Sequence, residues 1–163
     1  MDHVDKIQAQ WAKELPDVDL SAQSIIARLH RLANHLTAEV TAVYAEYGLS
    51  EGEFDILCAI RREGKPYEIR PADIAKTTMV TTGGTSKRLD KLEKTGLIER
   101  VPHRGGDGRS KLVRLTPAGI ELIEDAFWAH LENERRLVES LGARDQGELE
   151  RILRLWLVTF EDE

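Results

Sequence analysis

The stretch 81–94, TTGGTSKRLDKLEK, sets small polar residues ahead of four cations. Gly83 and Gly84 allow a close approach to an edge of stacked bases, Thr82, Ser86 and Lys87 are the candidates for base or near-base contacts, and the remaining cations can meet phosphates. At helical spacing Leu89, Leu92 and Thr85 share one face, and Gly83, Gly84, Lys87, Asp90, Lys91 and Lys94 fall on the remaining surface. A short distance on, the turn RGGDGRS carries Arg104, Asp107 and Arg109, with Lys111 just beyond. An aspartate two residues before an arginine can brace the guanidinium for a narrow minor groove or a phosphate. A solvated lysine-rich face and an ordinary surface ion pair are the plain alternatives. Their adjacency favours a surface for double-stranded DNA.

The charge distribution agrees. Net charge is −6, which alone argues against a nucleic-acid partner. Yet residues 77–116 hold nine basic side chains against four acidic ones, while 1–76 and 117–163 are both net acidic. A basic island between repelling flanks is the footprint of a local polyanion site. No apolar run approaches the ~18 residues of a membrane span, and the polar, acidic N-terminus does not read as a secretory signal. The single cysteine, Cys58, cannot form an internal disulfide. A cytoplasmic protein, nucleoid-associated when on DNA, is expected.

These residues need elements to hold them. Residues 4–15 read as a short helix, with Val4, Ile7, Trp11 and Leu15 on one stripe, closed by Pro16. Ile25, Leu29, Leu32, Leu36, Val40 and Val43 step by three or four along a long helix from Ser21 to about Tyr47. Ser50 caps the next helix, with Glu53 completing a capping box. After a possible short strand at 67–70, Pro71 opens a brief helix, PADIAKT. Thr81 or Thr82 is expected to cap the cationic helix, which Gly96 ends. LIERVPH and KLVRLT flank the glycine-rich turn as a hairpin. Thr116-Pro117 starts a long helix with Ile120, Ile123, Phe127 and Leu131 inward, and after Gly142 a last helix presents Leu149, Ile152, Leu153, Trp156 and Phe160.

The expected fold class is therefore mainly α with a small β-hairpin wing (α+β). It is a winged helix-turn-helix with N- and C-terminal dimerisation helices. Its parts are an N-terminal helical extension (1–19), dimerisation helices (20–47 and 117–163) and a DNA-binding lobe (48–116). The outer helices carry more apolar surface than a small lobe can cover, so pairing with a second copy is expected.

GLIERV and DGRSKLVRLTPAG, in that order and preceded by RLDKLEKTG, resemble the wing and recognition-helix pattern of the MarR family. The departure is Gly105-Gly106, where relatives often carry Asp-Pro. The resemblance implies a two-fold dimer on a pseudo-palindromic operator, most often a repressor, that a small molecule releases. IQAQW, EFDILCAI and the pair Arg88 and Arg100 resemble the urate-responsive (HucR/PecS-like) branch. There the resemblance implies an effector pocket at Trp11, Asp55 and Arg88, with Arg100 a secondary match. Arg88 borders the inward stripe and Asp55 interrupts an apolar phrase, so Asp55 can partner a half-buried guanidinium. A planar aromatic anion could take its place while stacking on Trp11. A static Asp55–Arg88 brace with Trp11 as packing is the alternative.

Other signals carry less. Cys58 lies on an inward face, where packing is favoured over a thiol-based redox switch, and redox-sensing relatives usually place their cysteine near the first long helix. His30, His35 and Glu39 share one helix, but two ligands at i,i+4 make no metal site. No phosphate loop, nucleophile elbow or acid–base pair stands out, so neither enzyme activity nor a cofactor is expected. The rival function is a winged-helix module that meets proteins or DNA without sensing anything.

Overall fold

The structure is a computed structural model that describes residues 1–78, 84–102 and 111–161. It forms two compact units, Met1–Val40 and Thr41–Glu163. In the first, α1 (His3–Glu14) opens on a capping box: the Asp2 carboxylate accepts from the Val4 and Asp5 backbone N–H groups, and Asp5 accepts from the Asp2 N–H. These oppose the positive end of the helix with negative charge. Arg28, on α2 (Ser21–Glu46), then donates to both Asp2 and Asp5, tying the two helices.

The second unit begins within α2 and holds the lobe. Its elements are α3 (Glu51–Arg62), β1 (Glu68–Ile69), α4 (Pro71–Thr77), α5 (Thr85–Lys94), β2 (Ile98–Pro102), β3 (Lys111–Leu115), α6 (Pro117–Val138) and α7 (Ala143–Glu161). The Ser50–Glu53 box does cap α3, and Pro71 sits in the first turn of α4. The hairpin β2–β3 runs from Ile98 opposite Leu115 to Pro102 opposite Lys111. β1 adds a third antiparallel strand, pairing Glu68 with Arg114 and Ile69 with Val113, in the order β1-β3-β2. This is the wing of a mostly helical winged-helix fold.

The core of this unit is α3, buried from Gly52 to Ile60. Leu89 and Leu92 of α5, Val113 and Leu115 of β3, Ile74 of α4 and Ile123 of α6 are buried with it. Tyr44 stacks on Phe54 at 4.0 Å between ring centres, and His130 of α6 lies 5.3 Å from Phe54. The join between β2 and α6 is unusually close. Thr116 accepts from the Gly119 N–H at 3.0 Å and donates to the Gly96 carbonyl at 2.7 Å. A Cβ on Gly119 would stand 2.0 Å from the Leu97 carbonyl oxygen, so only glycine fits.

Two expectations change. Gly84, expected on the helix surface, is instead the N-cap of α5, in a left-handed conformation, φ +86°, which a side chain resists; the cap of α5 is therefore not the expected Thr81 or Thr82, which lie outside the described residues. Phe127, expected inward, is exposed, and α7 buries none of its residues despite its apolar stripe. Helical periodicity marks a face that wants cover without saying whose cover it gets. No helix among the described residues is long and apolar enough to cross a membrane.

Candidate nucleic-acid interface and effector site

Helix α5 is held by Leu89 and Leu92, which leaves Ser86, Lys87, Asp90, Lys91 and Lys94 exposed. The cations of the basic island are not equivalent. Lys87, Lys94 and Lys111 make no ion pair among the described residues, whereas three others have carboxylate partners. Arg100 of β2 reaches Asp90 at 2.5 Å and also pairs with Glu93, both on α5, which fixes wing strand to helix. The Asp90 bond, then the nearby Glu93 charge, outweigh partial burial and hold the Arg100 pKa above its usual value. Arg114 of β3 donates through Nε to Glu68 at 2.6 Å and reaches Glu99 at 3.5 Å.

Lys91 Nζ lies 2.8 Å from Glu53 Oε1 and 2.9 Å from Oε2, and the carboxylate is only 3% exposed. The same Glu53 accepts from the Ser50 N–H at 2.9 Å. Burial pushes the Glu53 carboxyl up, but the Lys91 and Ser50 hydrogen bonds outweigh it and leave its pKa below the usual carboxylate value. From sequence Glu53 reads as a cap alone; its second partner is 38 residues away and leaves no local signal.

Arg88 lies beside Gly52, the residue before Glu53. A Cβ there would be 2.5 Å from Arg88 Nε and 2.8 Å from Cζ. Gly52 is the site residue that sequence reading missed; a glycine in a helix opposite an arginine is the available clue. Asp55 is buried one turn along the same face of α3. Trp11 belongs to the N-terminal unit, where it is about half exposed. Arg100, the secondary effector match, is engaged by Asp90 and Glu93. Thr82, Gly83, Arg104, Asp107 and Arg109 lie outside the described residues, as do Gly105 and Gly106.

Cys58 is buried, and burial above all, with Asp55 adding to it against Arg62, pushes its thiol up to about 12. The thiolate that a redox switch requires is negligible at neutral pH. Among the described residues no three His, Cys, Asp or Glu side chains converge as a metal site.

Comparison with known proteins places this geometry. A model of the MarR family matches residues 47–110. The chain is 35% identical over 150 residues to the HTH-type transcriptional regulator PecS of Dickeya dadantii (strain 3937), covering 92% of this chain and 90% of that protein. Wild-type MarR from E. coli, in its apo form, gives a TM-score of 0.65 at 26% identity over 80% of this chain and 96% of that one. A mutant E. coli MarR complexed with operator DNA shares the fold, with a TM-score of 0.68 at 24% identity over 90% and 97% of the two chains. A relative matched along nine-tenths of its length, together with the family match over the lobe, decides the matter: the chain belongs to the MarR family, and is a DNA-binding transcriptional regulator, not an enzyme.

Proposed function

We propose that this regulator is a cytoplasmic repressor that grips a pseudo-palindromic operator as a homodimer and lets go when a small aromatic anion, urate or a related purine, binds. Ser86, Lys87, Lys94 and Lys111 would face the duplex, with Thr82, Gly83, Gly84, Arg104, Asp107 and Arg109 completing the base and backbone contacts. Homodimerisation is supported by α7, whose apolar side chains find no burial within one chain. Two lobes one helical turn apart, about 34–36 Å, would then read successive major grooves. The relative complexed with operator DNA supports this docking by likeness of fold.

One observation carries the sensing half: Arg88, anchored on α5, rests against the first turn of α3, one turn from buried Asp55. A buried carboxylate near a guanidinium is a place where a ligand anion competes. An anion drawn to Arg88 moves a side chain whose backbone belongs to the DNA-facing helix, so ligand and DNA affinities become linked.

The test is a titration of urate, xanthine and salicylate against the purified protein bound to duplex from upstream of its own reading frame, followed by mobility shift and tryptophan fluorescence. DNA binding should weaken steeply with salt, and at least one anion should release it. Arg88→Ala should keep salt-dependent binding but lose the anion response. If Arg88→Ala responds as the wild type does, the effector site lies elsewhere.

A further inference from the structure

Two neighbouring residues of α3 receive two neighbouring cations of α5. Gly52 makes room for the Arg88 guanidinium, and Glu53 takes the Lys91 ammonium on both carboxylate oxygens. Arg88 and Lys91 are three apart, so their side chains leave the same face of α5. Glu53 is buried and also closes the cap of α3, so its geometry is fixed from the α3 side before Lys91 arrives. A buried carboxylate that lost its cation would carry an uncompensated charge, so the pair resists opening. Lys87 and Lys94, by contrast, have no such partner among the described residues.

We propose that Lys91 is a positioning residue, which clamps the recognition helix to the first turn of α3 through Glu53 and does not spend its charge on a DNA phosphate. The clamp rests on the reading of α5 as the DNA-facing helix, and it specifies how that helix is held while Arg88 is displaced. With Lys91 pinned, movement at Arg88 turns α5 about a fixed point and does not detach it.

A phosphate contact and a clamp predict opposite signs for one substitution. Glu53→Gln keeps a cap-competent side chain and adds one unit of positive charge near the duplex. If Lys91 met a phosphate, freeing it from Glu53 would leave binding unchanged or tighten it. Lys91→Met would then lower the slope of log K against log salt by about 0.9. If Lys91 is a clamp, Glu53→Gln and Lys91→Met each weaken binding about tenfold, and the double variant is about tenfold rather than a hundredfold weaker. The salt slope of all three stays at the wild-type value.

The duplex for these measurements is one enriched by the wild-type protein from a random-sequence pool. Unchanged or tightened binding in Glu53→Gln, or a slope lowered in Lys91→Met, overturns the clamp. Hydrogen exchange on the free protein gives a second readout that needs no DNA. Amides of α5 in Glu53→Gln should exchange about tenfold faster relative to those of α6, and unchanged exchange overturns the clamp. Should the wild type enrich no duplex at all, it is the DNA-facing assignment of α5 that fails, while exchange still decides the clamp. The double variant, which leaves no buried unpaired charge, covers the case in which Lys91→Met alone does not fold.

Discussion

Replacing Gly52 with alanine disturbs Arg88 without touching any charge. The new methyl carbon would stand 2.5 Å from Nε, 2.8 Å from Cζ and 3.0 Å from Cδ, where ordinary contact begins at 3.4 Å. The guanidinium must therefore retreat by about 0.9 Å, the difference between 3.4 and 2.5 Å. The obstruction is the far end of a flexible side chain, so the backbone of α3 has no need to move. Alanine also gains up to about 1 kcal/mol of helix propensity over glycine, which offsets part of the lost packing. The melting temperature should then stay within a few degrees of the wild type, as 1 kcal/mol is worth roughly 2–4 °C at this size.

Function should change more than stability. If displacement of Arg88 is what a bound anion achieves, Gly52→Ala partly mimics the liganded protein. Coupling free energies between two sites are typically about 1–3 kcal/mol, or roughly 5- to 150-fold. DNA affinity without any anion should fall by about tenfold, within that range, and the remaining response to urate should shrink by the same factor. Fluorescence anisotropy of a labelled duplex, with and without urate and at fixed protomer concentration, measures both. A correctly melting variant that binds DNA and answers urate as the wild type does would refute the idea that the seat of Arg88 transmits ligand binding.

Three further outcomes follow from the same geometry. Gly119→Ala places a carbon 2.0 Å from the Leu97 carbonyl oxygen, a backbone atom that cannot swing aside. With the overpacking and the loss of the Thr116 cap this should cost about 3 kcal/mol or more, while Gly147→Ala in open space on α7 should be neutral or stabilising in the same melting experiment. Cys58 and Tyr44 both have pKa values raised to about 12 by burial, from 9.0 and 10.0. The unfolded chain therefore releases these protons first. The stability they preserve is complete below about pH 9 and is lost as pH rises toward 12, so Cys58→Ala should blunt alkaline unfolding in a pH series of denaturant melts. Leu153→Glu on α7 should raise the dimer dissociation constant at least about a hundredfold. Each buried leucine contributes roughly 1.5–3 kcal/mol, and a two-fold interface counts it twice; sedimentation at micromolar protein reads the change, and an unaffected dimer would place the interface off α7.

Local signals in the sequence located most elements. The Ser50–Glu53 box, Pro71, Thr116-Pro117 and the alternation on either side of the glycine-rich turn each report on a few adjacent residues, and each element formed where they indicate. What stayed hidden is long-range. The short strand expected within 67–70 forms at Glu68–Ile69, but its pairing with Arg114 and Val113 of β3 leaves no trace in two residues, too few for a period. Tyr67 takes φ +60° just before it, with Arg61 over its ring at 4.6 Å, in a conformation no propensity would assign to tyrosine. The cationic face of α5 was legible as a face, but not the division within it. Lys91 and Arg100 are committed to carboxylates on their own lobe, whereas Lys87 and Lys94 make no ion pair among the described residues.

That division matters for how a protein of net charge −6 holds a polyanion. Cations paired with buried or neighbouring carboxylates contribute little to counterion release, so the salt dependence of DNA binding should reflect fewer cations than the island contains. The paired ones instead fix the angle at which the rest are presented: Arg100 joins β2 to α5, Arg114 joins β3 to β1 and β2, and Lys91 joins α5 to α3. The first turn of α3 is where these constraints meet the proposed effector site. Glu53 caps the helix and holds Lys91, Gly52 leaves space for Arg88, and Asp55 lies buried one turn on. A ligand acting there, as proposed, would need no path across the protein, because the turn it perturbed would be the turn against which the proposed DNA-facing helix α5 is set.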